Sequence, residues 1–576
     1  MGGVTRMRIF SRKTFIGCLA IVTTSPVVAQ NMPNAGSLLQ EIERSTGKTS
    51  VAPAPLLPTQ ASPPGIPLPA RSGEKIHVSA FRLDSTLFSE ATLQAAIADF
   101  TNRELTLADL QAATRRVSEY YRQHDYLAYA YLPPQTVRNG VVEIKVVEAR
   151  LGKVELDSIS ATRLDPTLAL DLVTRRAPLG EPLRPGRLDQ GIAILNELPG
   201  VRRAESLLEA GARPGETNAR LRIQDSPLAH GSLVIDNTSS TGTGEWQSYL
   251  AGSLDNPFGR AEQIQVNGLA SEGSQYVRLG GTILLGTSGL RGGVDVSAMQ
   301  YRVLESVSPL DLNGYSWTMG LSLNYPVLRG SGLSLTASSG FDYKRMVDRM
   351  EDTALDDKRI AIGYLGLSLQ TRDRWFGGGI DHLAATIDLG TLDLSANPDH
   401  QKSDQLTART QGGFGKLGLS FSREQAISDH VTVSTRIQAQ WSPSNLDSSE
   451  KLYLGGFSGI RAYPSGEASG DSGWLGNLAV KWQVMDDLQF SGFYDIGWIH
   501  QHAAPWTGWQ LFTKQPNDYN LQGAGIAIAW SPNSTIQTQA VLAHVIGDNP
   551  GSDMTGNDSD GADKSLRAWV QLNIGF

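Results

Sequence analysis

Arg461 stands at the centre of "FSGIRAYPSGEASGDSG", residues 457–473, among Gly459, Gly466, Gly470 and Gly473 and without the alternation that surrounds it. An arginine in such a setting can cradle a phosphate, lie solvated in a surface loop, or meet a carboxylate inside a cavity. The phosphate reading fails, because no Lys followed by Ser or Thr is present and no helix follows. A carboxylate is found in "LQFSGFYDIGWI", residues 488–499. Leu488, Phe490, Tyr494, Ile496 and Trp498 share one face of an extended chain there, and Gln489, Ser491 and Asp495 the other. If the apolar face meets lipid, Asp495 points inward, where an acid needs a cation. A guanidinium can bind it through two parallel hydrogen bonds. The spacing alone equally allows Asp495 to line a wet pore with Arg461 solvated outside.

The remaining reactive residues point to little chemistry. There is no GxSxG, HExxH or Walker A pattern, so neither an enzyme nor a cofactor is expected. His500 and His502 fall in an expected external loop and read as solvated. "DMTGNDSDGADK", residues 553–564, is acidic but lacks the ligand spacing and final Glu of an EF-hand, and also reads as a solvated loop. The single cysteine, Cys18, lies in an apolar stretch near the start, leaving no Cys-based metal site or disulfide. A net charge of −8 argues against a nucleic-acid partner.

The elements that must position Arg461 and Asp495 are strands. From about residue 229 onward, alternating segments such as "WQSYLAGSL", "AEQIQVNGLA" and "YVRLGGTILL" follow one another. Short connections ("DNPFG", "GTSG", "RGSG", "RWFGG", "AISDH", "VMDD", "SPNS") alternate with mostly longer ones: 304–314, 346–357, 392–410, the arginine stretch, 500–518 and 548–565. This sorting is the mark of a transmembrane β-barrel with short periplasmic turns and long external loops, here of about 16 antiparallel strands. "RAWVQLNIGF" places Ala568, Val570, Leu572, Ile574 and Phe576 on one face. A strand ending there is expected to pair with the first and close the barrel.

Ahead of the barrel the order is different. Residues 1–29 read as a signal peptide: Arg6, Arg8, Arg12 and Lys13, then an apolar core, then small residues up to Ala29. Residues 30–50 hold a short helix candidate with Leu38, Leu39 and Ile42 on one face, and 51–72 a proline-rich linker. A short helix on a long tether can dock at a distance. Residues 73–149 and 150–226 each read as β-α-α-β-β, two tandem α+β modules that suggest an adaptor arm.

Together these residues resemble the outer-membrane transporters of two-partner secretion, the haemolysin secretion/activation (ShlB/FhaC/HecB, or TpsB) family. "FRLDSTLFSEATL" with "DLQAATRRVSEYYRQHDYLAYAYLPPQ" is similar to the family's first POTRA domain, and "RLDQGIAILNELPGV" with "ARPGETNARLRI" to its second. "LGGFSGIRAYPSGEASGDSGW" resembles its Val-Arg-Gly-Tyr loop and "FYDIG" its partner strand. The resemblance implies a Gram-negative outer-membrane barrel with POTRA modules at 73–149 and 150–226 in the periplasm. It implies that the loop at about 443–473 folds into the lumen with Ile460, Arg461, Ala462 and Tyr463 as its motif, and that Arg461 meets the wall at Asp495 beside Gly497. It implies a pore-plugging helix, Phe576 as the C-terminal assembly signal read by the barrel-assembly machinery, and a partner exoprotein, such as a haemolysin or adhesin, that is translocated unfolded and can be activated. Ile460 for Val is a mild departure, whereas Ala462 for Gly narrows the backbone and questions the turn. The readings set against this one are an outer-membrane assembly factor of the same superfamily, a passive porin and a secreted enzyme.

Overall fold

The computed structural model describes residues 33–45, 75–158, 162–330, 332–351, 353–510 and 515–576. The expected signal peptide and proline-rich linker lie outside the described residues. The first element is helix α1, Ala35–Ser45, whose buried Leu38, Leu39 and Ile42 are those expected from its periodicity.

The first module holds β1 (Ile76–Val78), β2 (Ala80–Asp84), α2 (Glu90–Ala96), β3 (Arg103–Leu105), α3 (Leu107–Gln123), β4 (Ala128–Tyr131) and β5 (Val141–Glu148). "KIHVSAFRL" is therefore two strands, not one. β1 pairs with β3, while β2 runs parallel to β5 in a separate sheet of order β2-β5-β4. The break falls at Ser79, whose N–H is taken by the carbonyl of Gly140. Thr106 and Asp109 form a complete capping box at the start of α3.

The second module holds β6 (Arg150–Leu156), α4 (Pro166–Thr174), α5 (Pro185–Asn196), β7 (Val201–Ala210) and β8 (Glu216–Asp225), with sheet order β6-β8-β7. Leu188, Ile192 and Leu195 of α5 enter its core, as their spacing predicts.

The rest is a closed 16-stranded barrel. In chain order its strands are β9 (Ala229–Asp236), β10 (Gln247–Asp255), β11 (Gln263–Ser271), β12 (Ser274–Leu284), β13 (Arg291–Arg302), β14 (Leu312–Arg329), β15 (Leu333–Met350) and β16 (Thr353–Asp373). After these come β17 (Gly379–Asp393), the loop helix α6 (Pro398–Leu406), β18 (Gly412–Ala426) and β19 (Val431–Trp441). A long loop follows, carrying the two-residue strands β20 (Leu452–Tyr453) and β21 (Ser469–Gly470). β22 (Ser472–Met485), β23 (Leu488–His500), β24 (Asp518–Trp530), β25 (Ile536–Val545) and β26 (Leu566–Gly575) complete the wall.

β26 pairs with β9 from Gln571–Asp236 to Gly575–Ser232, and the backbones of Phe576 and Gly231 exchange two further hydrogen bonds. Closure satisfies every strand edge, which a sheet in lipid requires. The outward phase is apolar, as with Val294 and Val296 on β13, while Asp295 and Ser297 in the alternate phase face inward.

One expected loop is not a loop. β15 runs on to Met350 and β16 begins at Thr353, so most of the expected loop is hairpin. Arg345 donates twice to Asp357 across the two strands, at 3.0 and 2.9 Å, and buried Met346 and Ile360 face inward. The charges that suggested a solvated connection are cross-strand partners that extend the ladder.

Candidate functional site

The loop from β19 to β22 folds inward and carries Arg461 to the middle of β23. Arg461 Nε donates to Asp495 Oδ2 at 2.9 Å and Nη2 to Oδ1 at 2.7 Å, a bidentate pair. The Arg461 backbone N–H adds a third bond to Oδ2 at 3.1 Å. Asn477 on β22 donates to Asp495 Oδ1 at 2.8 Å and to the carbonyl of Gly459 at 3.0 Å. The guanidinium lies over the Phe493 ring, 3.4 Å from its centroid, and Trp569 Nε1 donates to the Arg461 carbonyl at 2.8 Å. The Asp495 side chain is 0% exposed and that of Arg461 16%. The two residues left open by spacing alone are therefore in direct contact.

The rest of the motif fits a hollow in the wall. A Cβ on Gly497 would lie 3.2 Å from Ile460 Cδ1 and 3.0 Å from Leu454 Cδ2. One on Gly523, the register partner of Asp495, would lie 2.5 Å from the Cβ of Ala462. Ala462 is fully buried and is not among the positive-φ residues, so the turn asks for no glycine there. The extra methyl is accommodated by a glycine in the facing strand. Tyr463 is buried, and its N–H and carbonyl bond to Ile460 and Gly456 within the loop.

Helix α1 lies in the lumen beside this loop. Its first N–H, at Ala35, donates to Asp348 near the long-loop end of β15 at 2.7 Å, a carboxylate placed where the helix dipole favours it. Arg44 in its last turn donates to the carbonyls of Tyr453 and Ser458 at 2.7 and 3.0 Å. Leu38, Leu39 and Ile42 pack against Met299, Tyr301, Met346, Ile360 and other inward residues. Gly36 presses on the turn at Ser448 and Ser449, where a Cβ would stand 2.7 Å from Ser448 Oγ.

A buried charge network ties helix, loop and wall together. Lys344 of β15 reaches Glu43 of α1 at 3.5 Å and Glu450 of the loop at 3.1 Å. Lys416 of β18 reaches Glu450 at 2.6 Å and Asp388 at 3.8 Å. This layer separates two cavities. One of about 520 Å³ opens at the long-loop end beside Glu41, Arg44 and Glu467. The other, about 630 Å³, lies toward the short turns beside Arg278, Arg329 and Asp342. The sequence reading missed Lys344, Lys416 and Glu450. The available signal was two lysines at the inward phase of long strands.

Two loop readings are corrected. Asp558 and Asp560 are not solvated but take both Nη atoms of buried Arg567, at 2.8 and 2.7 Å. Asn549 joins Asp558 to Glu467 of the folded-in loop, at 2.8 and 3.0 Å. His502 packs edge-on against Trp506 and Trp509, and His500 meets Asp518 at 2.8 Å. Phe576 is 72% exposed on the outer face.

A model of the family described as haemolysin secretion/activation protein ShlB/FhaC/HecB matches residues 215–513, and one of the ShlB-type POTRA domain matches residues 76–149. The chain is 24% identical over 571 residues to the heme/hemopexin transporter protein HuxB of Haemophilus influenzae (strain 86-028NP), covering 96% of this chain and 97% of that one. The solved structure of CdiB from Escherichia coli superposes with a TM-score of 0.72 at 20% identity, over 95% of this chain and 99% of that one. CdiB from Acinetobacter baumannii gives 0.63 at 15% identity, over 93% and 97%. These two likenesses are of fold.

Proposed function

This chain belongs to the haemolysin secretion/activation protein (ShlB/FhaC/HecB) family of outer-membrane transporters with periplasmic POTRA domains, and on that premise we propose that its lumen is a protein-conducting path stoppered at rest by α1. An unfolded exoprotein docks on the two periplasmic modules, α1 leaves, and the chain threads outward. The drive is folding of the cargo outside, since no nucleotide motif is present. The protein is a conduit and not a catalyst. The cargo is a haemolysin or adhesin, activated in passage, a class in keeping with the hemolysin transporter protein ShlB of Serratia marcescens, 23% identical over 421 residues.

The observation that carries this reading is the position of α1 between two lumenal cavities, attached by separable contacts. Its three aliphatic side chains supply about 1.5–3 kcal/mol each when buried, while only Glu43 among its acids reaches a wall lysine. The loop is held far more firmly, through Asp495, Asn477, Trp569 and Glu450. The helix is thus the part that moves and the loop the part that stays.

Planar-bilayer conductance tests the plug: deletion of residues 33–45 raises it, and an unchanged conductance would sink the idea. Export of the exoprotein encoded beside this chain, in a reconstituted strain, tests the path. Arg461→Ala leaves Asp495 buried and unpaired, which costs about 3–5 kcal/mol, and export falls at least tenfold. Wild-type export by Arg461→Ala would remove the loop from the mechanism. An assembly factor of the same superfamily is the second reading. It is weighed down by an arm of two modules among the described residues, although BamA from Haemophilus ducreyi shares the fold with a TM-score of 0.50.

A further inference from the structure

On the outer face of the wall, the apolar band of β14–β16 gives way abruptly to arginine. Tyr325, Leu323, Leu321, Met319 and Trp317 stand outward and exposed along β14. The Trp317 ring meets that of Tyr343 on β15, with centroids 5.3 Å apart, an aromatic belt of the kind that marks a membrane interface. The next outward residue of β15 is Arg345, the register partner of Trp317. Its own register partner on β16 is Arg359. Strand phase fixes the direction of both. Lys344, Met346, Lys358 and Ile360 face the lumen, so Arg345 and Arg359 between them in the alternate phase point out. Arg349 follows on the same face of β15, and Arg302 next to lumenal Tyr301 on β13.

Few carboxylates answer these cations. Arg345 is matched by its bidentate partner Asp357. Arg359 reaches Asp393 only at 3.7 Å, and the two side chains are 41% and 46% exposed. Arg302 reaches Asp311 at the same distance, and both are more exposed still. Ion pairs so long and so wet contribute little. Arg349 makes no ion pair among the described residues, and its guanidinium lies over the Tyr315 ring, 5.6 Å from the centroid. Like charges directly opposite on neighbouring strands repel, as Arg345 and Arg359 must. Across the barrel, the outward positions near the long-loop ends are uncharged: Trp441 of β19, Trp474 of β22, Trp498 of β23 and Asn520 of β24.

Guanidinium groups just beyond an aromatic belt, on the face that meets lipid, stand at headgroup level. The long-loop end of such a barrel is the outer one, and the outer leaflet of a Gram-negative outer membrane is built of phosphorylated glycolipid. Arginine matches phosphate with a planar fork of donors, which lysine lacks. We propose that Arg345, Arg349 and Arg359 hold the phosphate groups of one outer-leaflet glycolipid, whose acyl chains run down the apolar strip of Phe341 and Leu365. The phosphates relieve the repulsion between Arg345 and Arg359 and give Arg349 the anion it lacks. On the inner face of β15, Lys344 and Asp348 hold α1, so lipid outside and helix inside grip the same strand. The site goes beyond the secretion reading and holds whatever chain the lumen conducts.

The test titrates the full chain, purified in detergent, with bis-phosphorylated lipid A and reads bound lipid by native mass spectrometry. Heat-modifiable migration shows that each variant is folded. The double variant Arg349→Gln, Arg359→Gln is expected to bind at least tenfold more weakly than wild type. The double variant Arg349→Lys, Arg359→Lys, which keeps the charge but loses the fork, binds less tightly than wild type and at least threefold more tightly than the glutamine pair. Lipid A stripped of its phosphates binds wild type at least tenfold more weakly. Equal affinity of wild type and the glutamine pair overturns the proposal, and so does equal binding of phosphorylated and stripped lipid A. Phosphatidylglycerol binding as tightly as lipid A overturns the glycolipid assignment and leaves an unselective anionic-lipid patch. If the glutamine pair does not fold, Arg349→Gln alone decides, since that side chain has no ion pair to lose: a threefold or greater loss of lipid A affinity supports the site, and an unchanged affinity overturns it.

Discussion

Ala462 and Gly523 show how far a single methyl reaches. The two are in contact although 61 positions separate them, because the loop lays one on the strand that holds the other. Gly523→Ala brings two Cβ atoms to 2.5 Å and should destabilise the folded-in loop by about 1–3 kcal/mol, the range for overpacking a tight core. Ala462→Gly alone should be nearly silent, and the double variant should recover most of the loss. Heat-modifiable migration of the barrel reads all three. Additive effects in that cycle would mean the two residues do not share the space. Asp495 was legible in the sequence because strand phase gives the direction of each side chain. Gly523 was not, because nothing in a strand pattern says which loop lies on its inner face.

Helices and strands were legible where one face is buried. The β-α-α-β-β order of the second module, the apolar face of α1 and the 16 strands follow from periodicity, and the box at Thr106 and Asp109 from its spacing, whereas the three-residue strands β1 and β3 of the first module were too short to leave a pattern. Hydrogen-bond capture by a single side chain left no such trace. Glu148, at the end of β5, accepts from the N–H of Thr86 and of Leu87, each at 2.9 Å, and from the Tyr121 hydroxyl at 2.9 Å. Burial pushes its carboxyl up, but the bonds from Thr86, Leu87 and Tyr121 outweigh that and hold it below the usual carboxylate range. A depressed carboxylate stabilises the fold above its unfolded pKa, about 4.3, and the contribution disappears as pH falls through the folded value. Glu148→Gln should therefore expose residues 85–87 to faster amide exchange at pH 7 and leave the first module less sensitive to acid than wild type. Equal acid sensitivity in the two proteins would remove Glu148 from the pH response.

On the scale of the whole molecule, the second module is seated on the short turns and not merely tethered there. Arg329, at the turn end of β14, is buried and binds Glu197 through Nε and Nη2, the latter at 3.0 Å. It also donates to the carbonyls of Leu328 and Leu335, both at 2.8 Å. Arg176 reaches the carbonyl of Ser288 at 2.7 Å, and Ala261 and Leu284 of the barrel belong to the module's own core. Arg329→Ala leaves Glu197 without this partner and should widen the distribution of distances between spin labels on the module and the barrel rim. An unchanged distribution would place the rigidity in the apolar contacts alone. None of this seating could be read from the chain, since Glu197 and Arg329 are 132 positions apart and each looks like an ordinary end-of-element charge.

The layer around Glu450 also decides what a passing chain meets once the stopper has gone. With α1 in place, Lys344 and Lys416 are matched by Glu43, Glu450 and Asp388. Departure of the helix takes Glu43 away and leaves two lysines against two carboxylates, each lysine still paired. Both lysines of this layer thus stay matched at the moment the path opens. A polypeptide sliding through finds no bare lysine in this layer to grip its acids, so acidic cargo can move on.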